Sequence, residues 1–226
     1  MMKKLNLLLA LLFLSYQASA AVQLMATRVI YKSSNTSAAL PIHNESTGNY
    51  LVQTWLENAN KGTANIPLQV VPPILKLDAG KDASLRFIYS GTSLPSNQES
   101  LFWINIQEIP PATKEGNTLQ IAIHNRIKLF FRPDGLNTNL DEEAKKLIWS
   151  KSGNTITIKN NGPMYISLNT LNISSSNSKN LDLDMIPPFS SKTVTLPTGY
   201  SITNGVSYSY INDFGGITEI KNHSIN

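Results

Sequence analysis

The sequence predicts an all-β protein made of two β-sandwich domains that follow an export signal. Short apolar runs rich in β-branched residues recur along the chain, and clusters of Gly, Asn, Pro and Ser separate them, which is typical of strands joined by turns. The pattern restarts after Pro133-Asp134-Gly135, where Pro and Gly favour a turn. A length of 226 residues suits one or two domains.

The N-terminal residues 1–20 have the three-part layout of a cleavable secretory signal. A basic start with Lys3 and Lys4 precedes a leucine-rich run at 5–14, and the small residues Ala18-Ser19-Ala20 follow. The apolar run is too short to span a bilayer. No polar stop-transfer flank comes after it, which argues against the alternative of a retained membrane anchor. We therefore predict cleavage after Ala20 and an exported protein of residues 21–226.

Residues 21–133 are predicted to form the first domain, an immunoglobulin-like sandwich. Seven runs with strand character fall within about 110 residues, which matches the strand count and size of that fold. The disulfide that marks antibody domains is absent, because the chain has no cysteine. The predicted strands are 22–31, 38–43, 50–57, 68–71, 84–89, 101–108 and 119–131.

Residues 134–226 are predicted to form a second, smaller β domain. A polar stretch at 141–146 is expected to form one helical turn at most. Strand character then resumes and recurs to the end of the chain. The predicted strands are 147–150, 155–159, 165–168, 192–196, 207–211 and 217–220.

The predicted strand at 119–131 is unusually long. Its odd positions are apolar except for Asn125, and its extended length would be roughly 43 Å at about 3.3 Å per residue. One small sandwich cannot easily cover such a strand, so its early part, the apolar ridge of Leu119, Ile121 and Ile123, is expected to lie exposed beside open backbone groups that invite pairing with another chain. The alternative is an ordinary core strand with this face fully buried.

Composition argues against catalysis and against binding by charge. Without cysteine, thiol chemistry and thiolate metal sites are excluded, and the three histidines (His43, His124 and His223) lack partners at ligand spacing. No phosphate-binding loop or nucleophile motif is present. Removal of Lys3 and Lys4 lowers the formal charge from +4 to +2, too small an excess to indicate nucleic acid. We predict no enzyme activity, no cofactor, no metal and no membrane insertion.

Six motifs in order resemble the PapD-like periplasmic chaperones of the chaperone–usher pilus pathway, over about Ala21 to Ile220. Each motif is weak alone, and their common order carries the resemblance. They are Thr27-Arg28-Val29-Ile30-Tyr31, Tyr50-Leu51-Val52-Gln53-Thr54-Trp55-Leu56, Val71-Pro72-Pro73, Glu99-Ser100-Leu101-Phe102-Trp103-Ile104-Asn105 with Gln107-Glu108-Ile109-Pro110-Pro111, Arg126-Ile127-Lys128-Leu129-Phe130-Phe131-Arg132-Pro133, and Ile211-Asn212-Asp213-Phe214-Gly215-Gly216.

The resemblance implies two immunoglobulin-like domains set at an angle, with a cleft between them, in a periplasmic protein. It implies a chaperone that binds, folds and caps pilus subunits by lending them a missing strand, then delivers them to an outer-membrane usher. The donor strand is assigned to Asn117, Leu119, Ile121 and Ile123. Each large aliphatic buried in a subunit groove would contribute about 1.5–3 kcal/mol before ordering costs. Self-association of the free chaperone is left open.

The resemblance also assigns two cations to the cleft. Arg28 and Lys128 match the residues that hold the terminal carboxylate of the subunit, where charge-assisted hydrogen bonds are about twice as strong as neutral ones. Strict alternation places Lys128 on the strand face opposite the apolar ridge, unless the strand twists or bulges near Asn125. The sequence leaves that question open.

An ion network between the domains is implied as well. Glu99, Arg132 and Asp213 match a trio that ties the two domains together. The short connection at 112–117 and the lack of cysteine fit the family branch with a short loop, which is associated with rod-like pili.

Two other classes of protein remain as alternatives. A two-domain immunoglobulin-like adhesion or structural protein would not require Arg28 or Lys128 and would bury the apolar ridge. A carbohydrate-binding or hydrolytic sandwich would need paired acids, but Glu45, Glu99 and Glu108 have no paired spacing and no cluster of sugar-stacking aromatics accompanies them.

Overall fold

Two stacked sheets form the first domain. The fold is that of a computed structural model, which describes residues 21–91, 94–112, 119–172, 180–196 and 205–225. One sheet has the strand order β1-β3-β7-β5 and the other β2-β9-β8-β4-β6; β2 and β9 are parallel. The strands are β1 (Val22–Leu24), β2 (Arg28–Lys32), β3 (Ala38–Asn44), β4 (Tyr50–Asn58), β5 (Leu68–Val71), β6 (Ile74–Leu77), β7 (Asp82–Tyr89), β8 (Ser100–Ile109) and β9 (His124–Arg132).

Alternating apolar side chains build the core between these sheets. Along β3, Ala38, Leu40 and Ile42 are buried while the residues between them are more exposed, as the two-residue period of a strand requires. From the opposite sheet, β9 contributes Leu129 and Phe131 to the same core. Burial of each large side chain favours folding by about 1.5–3 kcal/mol. The predicted all-β sandwich class is confirmed for this domain.

The first predicted strand, 22–31, is wrong as a single element. β1 pairs with β3 in one sheet, whereas β2 pairs in parallel with β9 in the other. The chain therefore crosses from sheet to sheet at 25–27. Both pieces place apolar residues in the shared core, Val22 from one and Val29 with Tyr31 from the other, so periodicity alone did not reveal the break.

The second domain is a smaller sandwich. One sheet has the order β10-β11-β15, and the other has β13-β12-β16-β17 with β14 paired to β12. Its core is centred on Trp149, Ile158, Ile166 and Tyr210. The strands are β10 (Ile148–Ser152), β11 (Thr155–Asn160), β12 (Ile166–Asn172), β13 (Asn180–Asp182), β14 (Met185–Ile186), β15 (Ser190–Thr195), β16 (Val206–Ile211) and β17 (Ile217–His223).

A short connection joins the two domains. A 3-10 turn at Asp134–Leu136 follows β9, and helix α1 then spans Leu140–Lys145. The helix is longer than the single turn predicted, because Asn139 caps it through a hydrogen bond from the backbone N–H of Glu142 and Leu140 anchors it in the core. Within the described ranges no helix has the length and apolarity to span a membrane.

Candidate functional site

Two cations meet on adjacent strands of the first domain. Arg28 of β2 and Lys128 of β9 are register partners in the parallel pair. Their neighbours Val29 and Leu129 belong to the core, so alternation directs both cations to the opposite side of the sheet, called here the outer face. The pairing of β2 with β9 therefore creates a site with two like charges.

The two cations are held without an acidic partner of their own. Burial lowers the pKa of the Arg28 guanidinium, and the charges of Asp213 and Glu99 oppose that shift. Burial and the charge of Arg28 lower the pKa of Lys128, with Asp184 opposing. Neither cation forms an ion pair with an acid among the described residues. An anion between them would favour both charged forms and reverse these shifts.

A cavity between the domains opens at Lys128. It has a volume of about 330 Å³, large enough to admit the end of a peptide chain. The second domain is also tied to the first here, because Arg28 Nη1 donates a hydrogen bond to the carbonyl oxygen of Ile211 at 2.9 Å. The cavity is lined by Lys128 from the first domain and by Ser167, Leu168, Asn169, Leu183, Asp184, Met185 and Ile211 from the second.

An ion cluster binds the domains beside this cavity. Arg132, the last residue of β9, contacts Glu99 Oε1 through Nε at 2.6 Å. Its two terminal nitrogens contact the Asp213 carboxylate at 2.6 and 2.8 Å. Glu99 is buried and also accepts a hydrogen bond from the backbone N–H of Tyr165 at 2.8 Å. The predicted trio is therefore a contiguous cluster between β8, β9 and the second domain.

The charges in this cluster reinforce one another. Burial works to lower the pKa of Arg132, but the hydrogen bonds and charges of Asp213 and Glu99 outweigh it and raise the pKa. Burial raises the pKa of Glu99, while Arg132 opposes that shift through its charge and hydrogen bond. Removing one member would leave a buried charge uncompensated, which is strongly destabilising.

The apolar ridge lies outside any strand, so the predicted strand 119–131 is wrong in its first part. β9 begins at His124, and the exposed fractions of Leu119 and Ile121 are 85% and 72%; Ile123 is half-buried. The neighbouring strand β8 ends at Ile109, and the prolines that follow have no N–H to continue a ladder. Asn117 lies outside the described residues.

Lys128 lies within β9, whereas the ridge precedes the strand and has no assigned strand face. The odd-numbered Ile127, Leu129 and Phe131 of β9 contact the core of the first domain, whereas Lys128 is on the outer face. Residues 119–123 continue the odd-numbered series beyond the end of that core. Within the ridge segment, the backbone N–H of Glu108 donates to the carbonyl oxygen of Ile123 at 2.9 Å, and the Gln120 side chain donates to the carbonyl oxygen of Pro111 at 2.6 Å.

Trp103, whose role sequence reasoning missed, lies beside two basic side chains on the outer face. The guanidinium of Arg126 lies 4.0 Å from the Trp103 ring centre, and the Lys128 ammonium lies 5.7 Å from it. Arg126 also forms an ion pair with Glu57 at 2.8 Å. Strand alternation could have placed these residues on one face, because Trp103 is flanked by the core residues Phe102 and Ile104, but it could not predict which strands are adjacent.

Comparisons with known proteins cover both domains of the chain. The family described as the pili and flagellar-assembly chaperone, PapD N-terminal domain, matches residues 21–137. The family described as the pili assembly chaperone PapD, C-terminal domain, matches residues 142–222. The matches together extend over most of the chain.

Curated relatives and solved structures agree with these matches. The probable fimbrial chaperone LpfB of Escherichia coli O157:H7 is 36% identical over 227 residues, covering 97% of this chain and 96% of the relative. The chaperone protein FimC of Escherichia coli K12 is 36% identical, with coverage of 89% and 83%. The SafB chaperone, solved in complex with the Salmonella enterica SafA pilin, has a TM-score of 0.79 and 32% identity, with coverage of 90% and 95%.

Proposed function

The chain belongs to the PapD family of pili-assembly chaperones, and on that premise we propose that it binds a pilus subunit through the apolar ridge and the Arg28–Lys128 pair. It is a fimbrial chaperone with the fold of that family. The observation that carries the proposal is the exposure of Leu119 and Ile121 on a stretch that precedes β9 and has no partner strand, in the same chain segment as Lys128. The complex of the SafB chaperone with a pilin supports the same role here.

The ridge donates a strand to the subunit. Leu119, Ile121 and Ile123 are spaced so that an extended backbone presents them on one side, where they fill a hydrophobic groove. Asn117 would extend the same series. Backbone pairing fixes the register, and each buried side chain adds about 1.5–3 kcal/mol before ordering costs. An adhesion protein of the same fold would have buried this ridge, and its exposure favours the chaperone.

The cations anchor the end of the subunit. A terminal carboxylate held by Arg28 and Lys128 offsets the repulsion between these two like charges and forms charge-assisted hydrogen bonds. The ridge precedes β9 along the chain and Lys128 lies within β9, so a subunit bound at the anchor extends past the start of β9 to reach the ridge. The anchor therefore fixes the register in which the ridge enters the groove.

The Glu99–Arg132–Asp213 cluster holds the cleft at a fixed width. We take the first domain as residues 21–133 and the second as residues 134–226. Arg132 then lies at the end of the first domain, and Asp213 lies in the second. Because Arg132 is bonded to both Glu99 and Asp213, this cation does not compete with Arg28 for the subunit carboxylate. It has a structural role rather than a binding role.

The chaperone acts in the periplasm. Export by a signal cleaved after Ala20 fits the layout of the first residues. After capture, the subunit is delivered to an outer-membrane usher, and the chaperone itself catalyses no reaction and needs no cofactor. The family of fimbrial chaperones to which the chain belongs supports this assignment.

Capture of a subunit from the native periplasm tests the proposal. Wild-type protein is expected to co-purify with a pilin that mass spectrometry identifies. The variants Arg28→Glu and Lys128→Glu are expected to lose it, because each replaces an anchoring cation by a repelling carboxylate. The variant Lys159→Glu, a matched reversal at an exposed position in β11, is expected to retain it.

Circular dichroism of the purified variants separates loss of binding from loss of fold. A folded Lys128→Glu variant without bound subunit supports the anchor. Retention of the subunit at the wild-type level by both Arg28→Glu and Lys128→Glu would refute it.

A further inference from the structure

Ser167 presents a buried hydroxyl to the cavity that contains Lys128. It lies in β12 between Ile166 and Leu168, which both belong to the core of the second domain. Alternation therefore turns Ser167 to the other side of the strand, where it lines the cavity together with Lys128. Its side chain is 2% exposed.

The hydroxyl of Ser167 has no hydrogen-bond partner among the described residues. Buried polar groups of folded proteins are nearly always paired, since leaving one unpaired is unfavourable. The same sheet position could have been filled by an apolar residue at no such cost. An unpaired donor directed into a cavity between domains indicates a group that accepts a hydrogen bond there.

Other polar side chains of the cavity wall are already engaged. Asn169 donates to the hydroxyl of Ser209 at 3.2 Å. Asp184 accepts a hydrogen bond from the backbone N–H of Met185 at 2.8 Å and faces Lys192 at 3.4 Å. Asn169 keeps one further N–H of its amide, but Ser167 differs from it in that its buried hydroxyl has no partner among the described residues.

We propose that the Ser167 hydroxyl donates a hydrogen bond to the terminal carboxylate of the bound subunit, beside Lys128. The inference rests on the proposed function, because it takes the carboxylate as the group held by Arg28 and Lys128. A carboxylate offers two oxygens with about four acceptor sites, so it can receive the hydroxyl and both cations together. The second domain then contributes directly to recognition of a free carboxyl terminus, and the carboxylate is clamped between the two domains.

Two short peptides that differ only at the carboxyl terminus test this assignment. Both are acetylated, begin with lysine for solubility and alternate threonine with valine; one ends in a free carboxylate and the other in a carboxamide. Calorimetric titration of the full mature chain is expected to give tighter binding of the acid peptide. Ser167→Ala is expected to weaken binding of the acid peptide about tenfold, in the range of one hydrogen bond to a charged group, and to leave the amide peptide unchanged.

The conservative variant Ser167→Thr is the matched control. It keeps the hydroxyl and is expected to retain binding of the acid peptide, whereas a merely structural role for Ser167 would make both peptides bind equally less well to Ser167→Ala. Unchanged binding of the acid peptide by Ser167→Ala, or an equal loss for the two peptides, would overturn the assignment.

Lys128→Gln distinguishes this inference from the proposed anchor. If Lys128→Gln loses the preference for the acid peptide while Ser167→Ala keeps it, the anchor stands and the role of Ser167 is refuted. If the wild-type chain does not distinguish acid from amide, both are refuted.

Discussion

Two halves of one alternating stretch have opposite environments. In residues 124–132 the odd-numbered Leu129 and Phe131 are buried between the sheets, while in residues 119–123 the odd-numbered Leu119 and Ile121 are exposed. Apart from Asn125, the odd-numbered residues of both halves are apolar. Residues 124–132 lie between β2 and β8, whereas residues 119–123 are bonded to β8 at Ile123 and then extend past its end. This contrast in burial shows that alternation determines which residues share a face. Whether that face is buried depends on a partner strand.

Alanine substitution in each half is expected to give the largest difference in unfolding free energy between the two halves. Leu129→Ala is expected to lower the free energy of unfolding by about 2–5 kcal/mol, because it leaves a cavity in the core. Ile121→Ala, the same kind of truncation in the unpaired half, is expected to stay within about 0.5 kcal/mol. Chemical denaturation of both variants measures this, and equal losses would show that the two halves are alike in the free chaperone.

Glu108 lies at the boundary between the two halves, and its carboxyl is expected to make the stability of the folded protein depend on pH. Its backbone N–H holds Ile123, and its buried carboxyl accepts a hydrogen bond from the N–H of Val22 at 3.2 Å. Burial raises the pKa of Glu108, with the Val22 hydrogen bond opposing. The folded protein therefore keeps this proton to higher pH than the unfolded chain does. The resulting stabilisation is present below the unfolded pKa, about 4.3, and is lost as pH rises through the raised value.

The variant Glu108→Gln tests that dependence. It keeps an oxygen for the Val22 N–H but cannot ionise, so we expect its unfolding free energy to equal or exceed that of wild type at pH 7. The advantage over wild type should shrink as pH falls below the ordinary glutamate range, and the effect should be smaller than that of Leu129→Ala. A wild-type protein that loses stability relative to Glu108→Gln as pH falls would contradict the sign.

Extending β8 tests whether the lack of a partner strand keeps residues 119–123 unpaired, and it is expected to have the smallest effect on stability. In the double variant Pro110→Val with Pro111→Val, β8 gains two N–H groups, and the one at position 110 continues the alternate series from Glu108 towards residues 119–123. We expect slower amide hydrogen exchange in that segment of the free protein, with an unfolding free energy within about 0.5 kcal/mol of wild type. Unchanged exchange would mean that the prolines are not what keeps the ridge unpaired.

Much of the fold could be predicted from the sequence because strand periodicity is local. The apolar alternation of β3 and β9 predicted buried faces that the core confirms. Local pattern could not reveal the change of sheet between β1 and β2, since both pieces face one core. It also missed β6, β13 and β14, which are only two to four residues long and too short for a period to register.

The candidate site could be predicted only in part, because its geometry depends on contacts between distant elements. The roles of Arg28, Lys128 and the apolar ridge came from the family resemblance, and these roles stay predictions. The packing of Trp103 against Arg126 depends on which strands are neighbours. Ser167 had no local signal beyond a hydroxyl between two apolar residues, and its approach to Lys128 depends on how the two domains meet.

Amide hydrogen exchange of residues 119–123, with and without a bound subunit, tests the donor strand most directly. The free chaperone is expected to exchange these amides rapidly, while residues 124–132 are protected by β2 and β8 in both states. In the complex that co-purifies from the periplasm, residues 119–123 should become protected as they pair with the subunit. Equal, rapid exchange of 119–123 in the free chaperone and in the complex would contradict the account.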